Sequence, residues 1–385
     1  MEDILAFITG FIFGLFSGLF PGLHSNTIIA VVSSLGLDER AVAIMIISLY
    51  PAHLVTSFVP SIFFGIPEQS TIVAVLPGQR MVLQGEGLMA LKTVLLSCLI
   101  AALLSTALFY LSLDFFPIVY SMIRGYMRYI LFAISVILLI KSKKPHMAGL
   151  VFLVSGLLGQ YALNTTVYDP FLPLFSGMFT MAAVINYRKG SVPQQKDNRI
   201  GFRFVKFIII GVFLGLIADL IPGIGSPSQV ATFATIFLPF DTLGYLSVIS
   251  SISVSEAIFS LSTEASIDKS RMGATAWLSK SINIDNNLLF LLVIFISSMA
   301  TAVFIIYALR SRIAKLASLD FSKMNSILAL YLIVITFILD GMTGILILTF
   351  STALGWATVK LEVERTTLMG AIIIPTLLLL FRVFI

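Results

Sequence analysis

Charge is scarce in this chain: 11% of its 385 residues are Asp, Glu, Lys or Arg, against about 25% in a soluble domain. Cysteine is scarcer still. Cys98 is the one thiol and lies in an apolar run, which excludes a disulfide scaffold and a thiolate metal cluster. Three scattered histidines (His24, His53 and His146) are too few for a zinc enzyme. His53, between Pro51 and Phe58, reads as a packed histidine, and His146 as an interfacial one. No Walker A motif provides for ATP hydrolysis. No Ser-His-Asp set or metal-ligand spacing stands out, so the chain does not read as an enzyme. Met1-Glu2-Asp3 lacks the basic start of a cleavable signal peptide.

What fills the chain instead is apolar side chain: 58% of residues are hydrophobic and mean hydropathy is +1.04. That predicts a polytopic protein of the plasma or inner membrane. The net charge of +5 then reflects Lys and Arg gathered in cytoplasmic loops rather than nucleic-acid binding. A spanning helix needs about 20 mostly apolar residues. Such runs occur at 41–67, 93–113, 145–168, 170–187, 286–309, 324–339, 341–359 and 366–381, with a shorter one at 129–140. The polar stretch RKGSVPQQKDNRIGFR, residues 188–203, reads as a cytoplasmic linker. It divides a first transmembrane repeat, 1–187, from a second, 204–385.

The halves are related in sequence. GFIFGLFSGLFPGLHSNTIIA at 10–30 aligns without gaps on GVFLGLIADLIPGIGSPSQVA at 211–231. The identities are Gly10/Gly211, Gly14/Gly215, Leu15/Leu216, Leu19/Leu220, Pro21/Pro222, Gly22/Gly223, Ser25/Ser226 and Ala30/Ala231, which points to tandem duplication. The positive-inside rule places Arg80, Lys141 to Lys144, the linker, Arg310 to Lys323 and Lys360 to Arg365 on the cytoplasmic side. The N-terminus, the Asp38-Glu39-Arg40 loop, Asp169 and Asp340 fall outside. With five crossings in each half, the repeats are inverted, an arrangement common in secondary transporters.

The uncharged run from Ile4 to Leu37 is too long for one span and too short for two with a loop. Pro21-Gly22 sits near its middle, where proline removes a backbone donor and glycine permits reversal. The run reads as two half-helices meeting in the membrane, and Pro222-Gly223 repeats the pattern. Small polar residues follow each break: Ser25, Asn26 and Thr27 in the first half, Ser226, Ser228 and Gln229 in the second. They suit a helix N-cap, and the exposed N–H groups behind them make an anion site. A second polar stretch, Ser61 to Thr71, contains Glu68, Gln69, Ser70 and Thr71. Its counterpart is read as Ser255 to Ser266, containing Glu256, Ser262, Thr263 and Glu264. Glu256 interrupts apolar sequence, and an ionisable residue inside a membrane is a functional candidate. Asp219, three residues before its break, either lines the site or faces the nearby loop.

These motifs resemble the large membrane subunit of the tripartite tricarboxylate transporters, the TctA-like (DUF112) permeases. PGLHSNT at 21–27 is similar to that family's PGLG-type break. SIFFGIP at 61–67 and PGQRMVLQGEG at 77–87 follow its next stretch, and PGIG at 222–225 matches again. Ser255-Glu256-Ala257 resembles the family's P-E-A, although Phe259-Ser260 replaces the Asn pair that follows there. The resemblance covers most of 8–110 and 205–275. It implies uptake of small carboxylates such as citrate, with a small membrane subunit and an extracytoplasmic binding protein as partners. Asp219-Leu220-Ile221-Pro222-Gly223-Ile224-Gly225-Ser226 also resembles the breaks of DUF368-type polyprenyl-phosphate translocases.

The reading is therefore an all-α multi-pass membrane protein with two inverted repeats of about five spans each and Pro-Gly-broken re-entrant half-helices. Its function reads as a permease moving a small anionic substrate, most simply a carboxylate, by alternating access. Translocation of a lipid-linked phosphate is the alternative. No cofactor is expected beyond Na⁺ or H⁺ as coupling ion, and the architecture leaves room for a homo-oligomer.

Overall fold

The computed structural model describes all residues except 1, 21–24, 66–69, 72–73, 187–191, 221–226, 228–229, 232–233, 235–240, 317–321 and 384–385. The described residues are helical, with no strand among them. In the first half, α1 is Glu2–Leu19, α2 Ser25–Ser34, α3 Glu39–Phe64, α4 Val75–Leu83 and α5 Gly87–Ile123. They are followed by α6 Met127–Lys141, α7 Pro145–Leu163 and α8 Phe171–Asn186. In the second half, α9 is Val205–Ala218, α10 Thr242–Ile267, α11 Gly273–Ser281 and α12 Leu288–Leu316. The chain ends with α13, Ser322–Lys360, and α14, Gly370–Leu380. Seven helices (α1, α3, α5, α7, α10, α12 and α13) are long and apolar enough to cross a membrane.

Two of these are central. The apolar window of α3 is 94% buried and that of α10 is 100% buried, whereas α1 and α13 each bury a third of theirs. The outer helices present Ile, Leu and Phe side chains outward, among them Leu5, Phe16, Leu157, Phe304 and Phe337. α10 is rich in serine yet fully enclosed. Several of its hydroxyls bond within the helix: Ser250 donates to the Leu246 carbonyl at 2.8 Å, Ser253 to Ile249 at 3.0 Å and Ser255 to Ser251 at 2.7 Å. Small side chains with internally bonded hydroxyls let helix backbones come close without hydrophobic bulk.

Glycine sets that approach. Gly10, Gly14 and Gly18 form a stripe at four-residue spacing along α1. A Cβ on them would stand 2.3 Å from the Met45 carbonyl oxygen, 2.2 Å from that of Leu49 and 2.0 Å from Thr56 Oγ1. Residue numbers rise together along both helices, so α1 and α3 are parallel. Their starting ends are tied by an ion pair between Arg40 and Asp3 at 2.9 Å. α9 repeats the arrangement on α10: a Cβ on Gly211 would meet the Val248 carbonyl and Ser251, and one on Gly215 would meet Ser255 and the Glu256 amide nitrogen.

The register follows from these contacts. α3 and α10 each have 26 residues. Each starts behind a capping aspartate: Asp38 accepts from the amides of Arg40 and Ala41, and Asp241 from that of Gly244. Each ends before a left-handed residue, Gly65 (φ 68°) or Asp268 (φ 52°). Phe64 therefore corresponds to Ile267, and His53 to Glu256. This differs from the expected pairing of 61–71 with Ser255–Ser266, because apolar sequence hides register that the glycine contacts reveal.

Loops assigned to a common face touch one another. Lys144 pairs with Glu362 at 2.8 Å, and Ser142 donates to Glu364. The apolar runs 324–339 and 341–359 are divided as expected: α13 is two helices meeting at a kink at Gly341 (φ 61°, ψ −152°), but the expected exposure of Asp340 beside that kink is not found. Asp340 is buried and accepts from the Asp169 amide at 2.9 Å. Glycine permits the break there without a loop.

The linker is a packed strap. Gln195 accepts from the Gly87 amide and donates to the Val82 carbonyl, while Lys196 donates its amide to the Gly85 carbonyl. Asp197 bridges Lys92 of α5 at 2.6 Å and Arg310 of α12 at 3.0 Å. The Lys92 ammonium, then the Arg310 guanidinium, hold the Asp197 carboxyl below its ordinary 3.8.

Two predictions follow from the packing and the strap. Gly14→Ala should lower the melting temperature in detergent, at a cost of about 1–3 kcal/mol for overpacking. Gly149→Ala on α7, whose Cβ would meet nothing within 4 Å, should be neutral or slightly stabilising; equal effects would refute the stripe. Asp197→Ala should cost about 1–2 kcal/mol, discounted because the carboxylate is partly solvated. A depressed carboxylate pKa contributes stability that is present above the unfolded value and lost as pH falls through the folded one. The mutational cost should therefore be full at pH 7 and vanish in acid below the ordinary 3.8.

Candidate functional site

Parallel packing of consecutive long helices forces the chain to return between them. In the first half α2 lies in that return, between the end of α1 and the start of α3. In the second half, residues 219–241 connect the end of α9 back to the start of α10. Pro21, Gly22, Glu68, Gln69, Pro222, Gly223, Ser226, Ser228 and Gln229 lie outside the described residues. The flanking residues define the site.

At the end of α1, the Ser17 hydroxyl and His53 Nδ1 share a 2.8 Å hydrogen bond, both side chains buried. His53 is thus a packed, bonded histidine. The equivalent place in the second half belongs to Asp219 and Glu256, 1% and 3% exposed. Asp219 follows Gly211 and Gly215 at the same four-residue spacing that leads from Gly10 and Gly14 to Gly18, so it occupies the packed stripe of α9. The two carboxylates are close enough for their charges to interact.

Arg271, in the turn between α10 and α11, reaches the same place. Its Nε donates to the Asp219 carbonyl oxygen at 2.8 Å and Nη2 to that of Leu220 at 3.4 Å. A cation on the last carbonyls of a helix satisfies acceptors that have no intrahelical donor and complements the negative dipole end. Two residues on, α11 begins at Gly273, where a Cβ would stand 2.4 Å from Asn26 Oδ1. The N-termini of α2 and α11 therefore abut, with Arg271 between them and Asp219. A crevice lined by Ile46, Tyr50, Ala257, Leu261, Met272 and Thr275 runs alongside.

Other candidates are engaged elsewhere. Ser25 is buried at the start of α2. The Thr27 hydroxyl donates to Asp169 Oδ2 at 2.8 Å, so it ties α2 to the α7–α8 connection. Thr71 shares a 2.5 Å hydrogen bond with Ser61, and Ser70 lies beside it at the end of α3. Ser262 accepts from Ser112 of α5 at 2.7 Å, Thr263 donates to the Ser260 carbonyl, and Glu264 accepts from Ser270. Asn26, Asp219 and Glu256 are thus the predicted residues gathered around Arg271 and Gly273. Neither of the latter was singled out from sequence. The signal available was a lone arginine and glycine inside Ser270-Arg271-Met272-Gly273, directly after a long span.

Among the described residues no group of three or more His, Cys, Asp or Glu is arranged to hold a metal ion. Residues 4–204 match the tripartite tricarboxylate transporter TctA family. The chain is also 26% identical, over 99% of its length and all of the other, to an uncharacterized protein, MJ1079, of Methanocaldococcus jannaschii. No solved structure matches. The match to the family extends over more than half of the chain, which therefore belongs to the TctA family, the membrane component of tricarboxylate transporters, and is a multi-pass membrane protein.

Proposed function

We propose that this chain is the carrier subunit of a tripartite uptake system and moves a small carboxylate by alternating access between two inverted halves. The observation that carries the reading is the meeting of Arg271 with the N-termini of α2 and α11. Arg271 spends two of its five donors on helix carbonyls, leaving donors for a ligand. Each helix start carries about half a positive charge. A di- or tricarboxylate can engage the guanidinium with one carboxylate and a helix start with another, a geometry suited to bidentate pairing.

Inversion is supported by the course of α12. It runs parallel to α3: Arg40 stacks over Phe290 at 4.7 Å, and Ser298 donates to the Ser48 carbonyl. Its far part carries Arg310, which meets Asp197 in the strap that leads into α9. On this reading α9 and α10 start at the face where α3 ends. A small membrane subunit and an extracytoplasmic binding protein complete the system.

The test is thermal stabilisation of purified protein by citrate and shorter dicarboxylates, compared with a polyprenyl phosphate. Citrate should stabilise wild type. Arg271→Met should weaken citrate binding by about 1.5–3 kcal/mol, roughly ten- to a hundred-fold in Kd. Unchanged affinity in Arg271→Met would remove the assignment, and stabilisation by the lipid alone would favour a lipid-phosphate translocase.

A further inference from the structure

The end of α9 carries more negative charge than anion recognition can use. Asp219 Oδ1 and Oδ2 and Glu256 Oε2 are buried and have no hydrogen-bond partner among the described residues. Leaving such oxygens unpartnered in a dry interior is costly, and the arrangement is built rather than incidental. The glycine stripe brings α9 onto α10 so closely that a Cβ on Gly215 would stand 3.0 Å from the Glu256 amide nitrogen. The next stripe position is Asp219. Two carboxylates against the single guanidinium of Arg271 leave the cluster one positive charge short.

We propose that Asp219 and Glu256, beside Arg271, form a binding site for one monovalent cation, Na⁺ or H⁺. The three unpartnered oxygens suit either ion: oxygen ligands for Na⁺, or acceptors for a shared proton. Other charges near the pair are already committed or face away. On α5, Tyr120 lies near Arg271 and Lys92 is paired with Asp197, while Asp114 and Arg124 are exposed. On α3, His53 bonds Ser17; on α4, Arg80 is exposed; on α11, Lys280 lies over the Trp277 ring. The cation site stands on these contacts alone, and only its link to transport rests on the carrier reading. There the link is electrostatic. An occupied cation neutralises the cluster, so a carboxylate arriving at Arg271 no longer meets uncompensated negative charge, and each ion raises the other's affinity.

The test uses the full-length protein in detergent with no carboxylate present. Melting temperature is followed as Na⁺ replaces choline at fixed pH and ionic strength, then as pH falls from about 8 to 5 without Na⁺. Wild type should gain about 2–4 °C in one arm, and that arm identifies the ion. Asp219→Asn and Glu256→Gln, each lacking one of the two charges, should lose the response, whereas Glu264→Gln should keep it. No response of wild type in either arm would overturn the proposal, as would a response retained in both variants. The wild-type arms need no variant to fold. Citrate binding by wild type and Arg271→Met is scored separately, so failure of the cation site and failure of the carrier reading are distinguishable.

Discussion

The architecture depends on one contact: two successive long helices packed in parallel, backbone against backbone, through a glycine stripe. Gly10, Gly14 and Gly18 leave no room for a side chain between α1 and α3. Parallel neighbours cannot be joined by a short turn, so the chain must come back between them. A return inside the membrane has to satisfy its own backbone groups, and irregular backbone survives at that depth only when enclosed by protein or facing a cavity. The short helix α2 and its buried start at Ser25 follow from that constraint. The second half obeys it again with α9 and α10.

Duplication of the scaffold did not duplicate the chemistry. The third stripe position is glycine in the first half and Asp219 in the second. The facing position is His53 in one and Glu256 in the other. The first pair of elements is closed by a neutral hydrogen bond between Ser17 and His53. The second places two carboxylates in the same kind of pocket and adds Arg271 from the following turn. One hairpin thus keeps the geometry, and the other carries the charge.

Much of this was legible in the residues. The Gly spacing marked the related packing of α1 and α9, because glycine acts locally and leaves its mark in sequence, and Glu256 stood out as a carboxylate interrupting apolar sequence. Partners far apart in the chain were not legible. Gly273 meets Asn26 across most of the two halves, and nothing local to Ser270-Arg271-Met272 shows that the arginine caps α9. Polar composition marked 188–203 as a linker, but did not show that its Gln195 and Asp197 are held on α4, α5 and α12. The division of α13 beside Asp340 was legible, and two helices do meet at Gly341; the burial of Asp340 against the Asp169 amide was not, because that partner lies far away in the chain.

The central claim is that the two parallel-packed pairs enter the membrane from opposite faces. It is tested most directly by an impermeant thiol reagent on intact cells. Single cysteines replace Leu37, just before α3, or Phe202, just before α9, both exposed, in a Cys98→Ser background. Leu37→Cys should label from outside and Phe202→Cys only after the membrane is opened. Labelling of both from the same side would contradict the account.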